Sequence, residues 1–270
     1  MKRSIFFFII TLFFGCISDS EEVLITNDVN DCEISSLPSL DLSIEDMVSI
    51  GVLHNEYALT LQSELTLSTN TEFQEIVDAL TVLYNSELDR LEIDDFPQSY
   101  EYVIEKSMDV NNELYNIGYD LRAWNICMLS TEGFAEFDKI FDALNEAEDV
   151  QAINDRIDEL VSHFTSIDLT RYEKEILITS AEVARNSFEL WAPENIGGLN
   201  LYNAIHQDEA QQRWSWRNAA RGDVAGLATY FNGLAVSGAI NAAWIPGANG
   251  AIAAGAAAAA VGGSVWGGLF

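Results

Sequence analysis

Between about residue 42 and residue 221, apolar side chains recur at intervals of three and four, which gathers them on one face of successive α-helices. A first helix is expected from Ser43-Ile44-Glu45-Asp46 to about Leu67. Ser68-Thr69-Asn70-Thr71 offers caps for a second, with Phe73, Ile76, Val77, Leu80, Leu83, Tyr84, Leu88 and Leu91 on its apolar face. Asp94-Asp95-Phe96-Pro97 ends it, because the residue before a proline resists the helical region. Val103, Ile104, Val110, Leu114, Ile117, Leu121, Trp124 and Met128 mark a long third helix, with Gly118 as a bend. Thr131 is the expected cap of a fourth, carrying Phe134, Phe137, Phe141 and Leu144. Ile153, Ile157, Leu160, Val161 and Phe164 define a fifth. Thr170 and Glu173 have the spacing of a capping box and open a sixth, which stops at Trp191-Ala192-Pro193. A seventh is expected from about Leu199 to Arg221.

Apolar/polar alternation of the strand type is almost absent, and no Asn-Gly or Asp-Gly hairpin turn interrupts this region. The fold class expected is all-α: an acidic multi-helix bundle, followed by a Gly/Ala-rich helical hairpin. The hairpin is inferred from an abrupt change after Asp223. Residues 224–270 contain no Asp, Glu, Lys, Arg or His. Val224 to Ile245 forms one candidate arm and Ala251 to Phe270 the other, around the turn Pro246-Gly247-Ala248-Asn249-Gly250. At about 1.5 Å per residue, each arm is roughly 30 Å long, the thickness of a bilayer core.

Small residues in these arms keep a four-residue rhythm. Ala251, Gly255, Ala259, Gly263 and Gly267 share one face of the second arm. Gly222 and Gly226 share a spacing of four in the first, as do Thr229, Gly233 and Ser237. Such ridges let two helix backbones approach closely. Leu227, Tyr230, Phe231, Leu234, Ile240 and Trp244 are left for an outer face. The tail resembles the glycine-zipper segments of bacterial envelope proteins and some bacteriocins. Two placements follow: transmembrane helices inserted in lipid, or a hairpin buried on the helical body. Just upstream, Arg213, Arg217 and Arg221 stand four apart with Trp214 and Trp216 between them. They form either a headgroup-facing membrane collar or a set of cations paired with the acidic body.

The N-terminus changes the picture again. Met1-Lys2-Arg3 precedes a short apolar run from Ile5 to Phe14, too short to span a bilayer, and Gly15-Cys16 follow. A small residue directly before Cys resembles the lipobox of bacterial lipoproteins, although Phe13 stands where that family has Leu and Leu12 is one position early. The resemblance implies lipidation at Cys16. The Ser18-Asp19-Ser20-Glu21-Glu22 stretch resembles the surface-export signal of Bacteroidota lipoproteins, or is a plain acidic tether. The expected organisation is a signal peptide over 1–15, an acidic linker over 16–41, a helical domain over 42–221 and the hairpin over 222–270. In an oxidising compartment Cys32 and Cys127 either pair as a disulfide or leave Cys127 as a buried thiol.

The chain has 43 acidic and 13 basic residues, a net charge of −30 that becomes −32 once Lys2 and Arg3 are removed. So negative a field argues against nucleic acid and against broad attraction to anionic lipid; the partners expected, from the Cys16 anchor and the hairpin, are membrane lipid and another envelope protein. Its apolar content, 49%, is too high for a disordered acidic chain. Catalytic signatures are missing: there is no nucleophile elbow, phosphate loop or dinucleotide fingerprint. His54, His163 and His206 are the only histidines, and none has Glu three positions ahead. His54, Glu56 and His206 are weak candidates for a metal set, and Glu159 with His163 for another; no cofactor is expected. The Gly51-Val52-Leu53-His54-Asn55-Glu56 segment, the acidic helices, the Trp/Arg junction and the Gly/Ala tail together resemble uncharacterised Bacteroidota lipoproteins. The resemblance implies an outer-membrane or cell-surface location and a structural or binding role for His54, Asn55 and Glu56. A non-enzymatic cell-envelope lipoprotein with a membrane-associated or interaction role is the function expected. A membrane-active bacteriocin-like effector and a metal-dependent enzyme are the alternatives.

Overall fold

The structure, a computed structural model, describes residues 37–65, 73–93, 128–201, 215–237 and 248–269. Seven α-helices form an all-α bundle among the described residues: α1 (Ile44–Leu65), α2 (Phe73–Arg90), α3 (Thr131–Glu146), α4 (Val150–Ser166), α5 (Arg171–Trp191), α6 (Trp216–Ser237) and α7 (Ala248–Leu269). A single 3-10 turn, Glu194–Ile196, follows α5. The expected third helix lies outside the described residues apart from its last position, Met128, which is fully buried.

Local chemistry accounts for most of the boundaries. The predicted capping box opens α5: the Thr170 hydroxyl accepts from Glu173 N, and the Glu173 carboxylate accepts from Thr170 N. Asp149 caps α4 by accepting from Ala152 N at 2.7 Å. The expected cap at Thr131 is corrected by one residue. Ser130 is the extended residue, its hydroxyl accepts from Gly133 N, and Thr131 is already helical. After the 3-10 turn, Gly197 adopts φ +92°, a conformation that favours glycine.

The bundle is layered. α3 and α4 pack on α5; α5 packs on α1 and α6; α1 and α6 pack in turn on α7, whose remaining flank is covered by α2. Among the described residues, α5 and α7 are therefore the inner helices. α5 is buried almost all round from Tyr172 to Ala184, and α7 is buried at every position from Ala251 to Ser264. A helix without a polar stripe needs neighbours on all sides, and the uncharged Gly/Ala segment has them here.

The contact between α6 and α7 explains why its residues are small. A Cβ added to Gly226 would stand 2.3 Å from the Ala259 carbonyl oxygen and 3.1 Å from Gly263 Cα. One turn earlier, Gly222 faces the Gly263 carbonyl at 3.0 Å; one turn later, Gly255 lies under the Tyr230 phenol. Ascending positions on α6 meet descending positions on α7, so the two helices run antiparallel, in a register that advances by four residues on each. Burial pushes the Tyr230 phenol well above its ordinary range, so it sits over Gly255 as a neutral group.

One expectation is overturned. No helix of the described residues is long and apolar enough to cross a membrane, which overturns the transmembrane reading of the C-terminal arms. The physical reason lies in their surroundings: Leu227, Tyr230, Phe231 and Leu234, expected on a lipid-facing side, are 0, 3, 0 and 1% exposed inside the bundle. α6 runs unbroken from Trp216 through Arg221, Gly222 and Asp223 to Ser237, joining the last charged turn to the first uncharged ones. Just before α1, the chain packs on the bundle. Leu40 is fully buried, its N–H donates to Glu175 Oε2 at 2.6 Å, and Ser39 Oγ donates to Glu175 Oε1 at 2.7 Å.

Gly226→Leu forces four heavy atoms into the α6–α7 contact. The expected loss is about 3 kcal/mol or more, at or beyond the upper end of ordinary overpacking. Urea unfolding measures it, with Val82→Ala at a 61% exposed site as a control expected to change stability by less than about 0.5 kcal/mol.

Candidate functional site

α1 has two faces with different chemistry. The inner face carries Gly51, His54 and Asn55. Gly51 has no room for a side chain, since a Cβ there would meet Asn186 Nδ2 at 2.4 Å and the Glu182 carbonyl at 2.8 Å. That close approach brings His54 and Asn55 to α5 and α6. Asn55 Nδ2 donates to the Asn186 carbonyl at 3.1 Å, and Asn186 Nδ2 donates to the Glu182 carbonyl at 2.9 Å. His54 Nδ1 lies 2.9 Å from Asn55 Oδ1. Its Nε2 lies 3.1 Å from Asp223 Oδ2, outside hydrogen-bond geometry. Trp191 Nε1 donates to the same Asp223 oxygen at 2.6 Å.

His54, Asp223 and Trp191 thus join α1, α6 and α5 at one buried point. The His54 and Asp223 side chains are both 0% exposed. A carboxyl group in that position needs a donor close by, and the Trp191 indole N–H supplies one, with the His54 ring beside it. The arrangement ties three helices together. Asp223 and Trp191 were not among the sequence candidates. A usable signal was present: Asp223 is the last charged residue before an uncharged stretch, and a lone carboxylate beginning an apolar helix face needs a partner.

The other sequence candidates disperse. Glu56 is exposed on the outer face of α1, two residues and about 200° around the helix from His54, so the two cannot ligate one ion. His206 lies outside the described residues. His163 pairs with Glu136 at 2.8 Å, while Glu159 pairs with Arg156 at 2.9 Å. No group of three potential metal ligands occurs among the described residues. Of the expected collar, Arg213 and Trp214 lie outside the described residues, and the rest turn inward. Trp216 stacks edge-on against Phe188 with ring centroids 4.7 Å apart. Arg217 donates to the Leu144 and Ala147 carbonyls at the C-terminal end of α3 and lies over the Trp216 ring at 4.3 Å. Arg221 lies over the Phe141 ring at 5.0 Å. Gly226, Gly255, Ala259 and Gly263 stand at the α6–α7 contact. Gly233 and Gly267 are both helical, and the surroundings of Gly267 lie outside the described residues, as do Cys16, Cys32 and Cys127.

The outer face of α1 is where the surface departs from an ordinary charged coat. Ile44, Val48 and Val52 stand at every fourth position and are 49, 39 and 48% exposed. They form one wall of a cleft of about 620 Å³. Glu87, Arg90 and Leu91 at the end of α2 form the opposite wall, and Gly250 and Ala253 in the first turns of α7 contribute to the lining. The cleft exists because α1 and α2 pack more extensively on α7 than on each other. Gly250 matters locally, because a Cβ there would collide with Leu91 Cδ1 at 2.3 Å. Carboxylates dominate the margins: Glu45, Asp46, Glu56 and Glu87 stand against Arg90, whose guanidinium is already bound to Glu87 at 2.7 Å.

No protein-family model, no curated protein and no solved structure matches this chain.

Two predictions follow from the buried carboxylates. Asp223→Ala leaves the Trp191 indole and the His54 ring without their partner and is expected to cost about 3–5 kcal/mol in urea unfolding. For Glu173, burial favours the neutral acid, but the bonds donated by Ser130 and Thr170 outweigh it and hold the carboxyl below its ordinary range. A lowered native value adds stability above the unfolded range, and that stability is lost as the pH falls through the native value. Glu173→Gln is therefore expected to cost about 1–2 kcal/mol at pH 7. The deficit should narrow when the unfolding measurement is repeated at about pH 3.

Proposed function

We propose that this protein is a non-enzymatic interaction protein of the cell envelope, which engages another protein through the cleft between α1 and α2. The observation that carries the reading is the row of exposed Ile44, Val48 and Val52 along that cleft. Aligned apolar side chains left bare on an otherwise charged surface mark contact sites. The buried His54–Asp223 pair favours no catalytic alternative, because both side chains are enclosed. The C-terminal segment is read as a Gly/Ala-rich hairpin that belongs to the acidic body. Leu227, Tyr230, Phe231, Leu234, Ile252 and Val261 are covered there, and nothing in the placement of the described residues favours a membrane-active effector. Envelope placement is supported by the charged start, the apolar run and the Gly15-Cys16 junction, with attachment through Cys16.

A photo-crosslinking residue at Val52 in protein produced in its own cells is expected to give an adduct with a defined protein. The same residue at exposed Asp155 on α4 is expected to give none. Equal labelling at both sites, or none at Val52, would remove the interaction reading. Cys16→Ala is expected to release the protein from the membrane fraction completely, because α6 and α7 offer no second attachment. Partial retention of the Cys16→Ala form would count against that account of the C-terminal helices.

A further inference from the structure

We infer that the partner segment seated in the α1–α2 cleft is a basic amphipathic helix, laid along α1 with its apolar side inward and its Lys or Arg residues over the acidic margins. The inference rests on the interaction reading above and specifies its partner.

Shape argues for a helix. α1 and α2 flank α7, and Gly250 and Ala253 contribute almost no side-chain bulk between the two walls. Two helical ridges around a low base make the slot into which a further helix packs, its own ridge lying between theirs. The wall residues Ile44, Val48 and Val52 repeat every four positions, so they are one ridge of α1 and match a helix with apolar positions at three and four. From Ile44 to Val52 this ridge is about 12 Å long, which corresponds to roughly two turns of a partner.

Charge argues for a basic one. Glu45, Asp46, Glu56 and Glu87 border the apolar wall, and the one cation among the lining residues, Arg90, is already held by Glu87. α1 itself contains no Lys or Arg. An apolar segment with acidic flanks would meet like charge at the rim, whereas basic flanks would gain rate and specificity. The same reasoning disfavours occupants from this protein. With 43 acidic and 13 basic residues, a second copy offers a surface that repels the rim, and so do the chain's own acidic stretches.

The test uses the full chain and designed probes. A fluorescent 14-residue Leu/Lys peptide, with Leu spaced for one helical face, is titrated and followed by anisotropy. A scrambled peptide of the same composition and a Leu/Glu peptide with the same pattern serve as comparisons. Saturable binding is expected for the patterned Leu/Lys probe alone. Val48→Asp is expected to weaken it at least tenfold, and Glu56→Lys severalfold. Both positions are exposed, so the thermal midpoint is expected to stay within a few degrees, and circular dichroism verifies the fold. Equal binding of the scrambled probe would reduce the effect to bulk charge and overturn the inference. So would unchanged affinity in Val48→Asp, or binding of the Leu/Glu probe. Phosphatidylcholine vesicles form a further arm: binding that Val48→Asp abolishes would assign the cleft to lipid and overturn the inference as well. If Val52 crosslinks to a defined protein in cells while the patterned Leu/Lys probe fails to bind, the interaction reading stands and the basic-helix assignment falls. If Val52 gives no adduct, the interaction reading itself fails.

Discussion

The structure depends on how closely α6 and α7 can approach. Two helix backbones come together where Gly222 and Gly226 meet the backbone of Ala259 and Gly263, and one turn on Gly255 makes room for the Tyr230 ring. That contact gives α7 one flank, and α1 and α2 complete its enclosure. A helix made mostly of Ala and Gly buries little apolar area per residue, and its glycines weaken its own conformation. Its stability has to come from close contact on every side. The rest of the bundle is arranged to supply those contacts, and the cleft between α1 and α2 is a consequence of two helices sharing one thin neighbour.

Buried polar groups then fix how the surrounding helices sit. Glu173 binds the start of α3 to the start of α5, and Glu175 binds the segment before α1 to α5. The two carboxyls differ in the balance of forces on them. Burial pushes Glu175 upward beyond what its bonds from Ser39 and Leu40 offset, whereas the bonds to Glu173 prevail over its burial. Asp223 performs a comparable service at the centre, between His54 and Trp191. Such groups are costly to bury and costlier still to leave unpaired. They therefore penalise other packings of a core rich in Ala and Leu, where shape alone discriminates poorly. Arg217, which serves the last carbonyls of α3, fixes the same region from the side of α6.

These ties leave α1 with a divided role. Its inner face is committed to α5 and α6 through Gly51, His54 and Asn55, while its outer face keeps Ile44, Val48, Val52 and Leu59 in water. The commitment of the inner face holds the outer one rigid. A preformed wall loses little freedom when a partner binds. In the interaction proposed above, the acids along the margins would disfavour another copy of so acidic a chain and select for a basic partner.

The sequence by itself determined the helices. Apolar spacing marked α1, α2, α4 and α5 to within a few residues, and Thr170 with Glu173 announced a capping box that depends only on neighbours three apart. The spacing of four among glycines and alanines likewise anticipated a close helix contact, because it is a property of one helix surface. What surrounds that surface is not local. The uncharged segment reads alike for lipid and for a protein interior, since both exclude charge, and only the packing of α1, α2 and α6 around α7 decided between them. Tertiary structure also decided the fate of the polar candidates. His54 and Glu56 are neighbours in sequence and point to opposite sides of a helix, while Asp223 meets His54 from a helix that begins more than a hundred and fifty residues later. Contacts of that kind arise from the meeting of distant surfaces, and no periodicity within either segment records them.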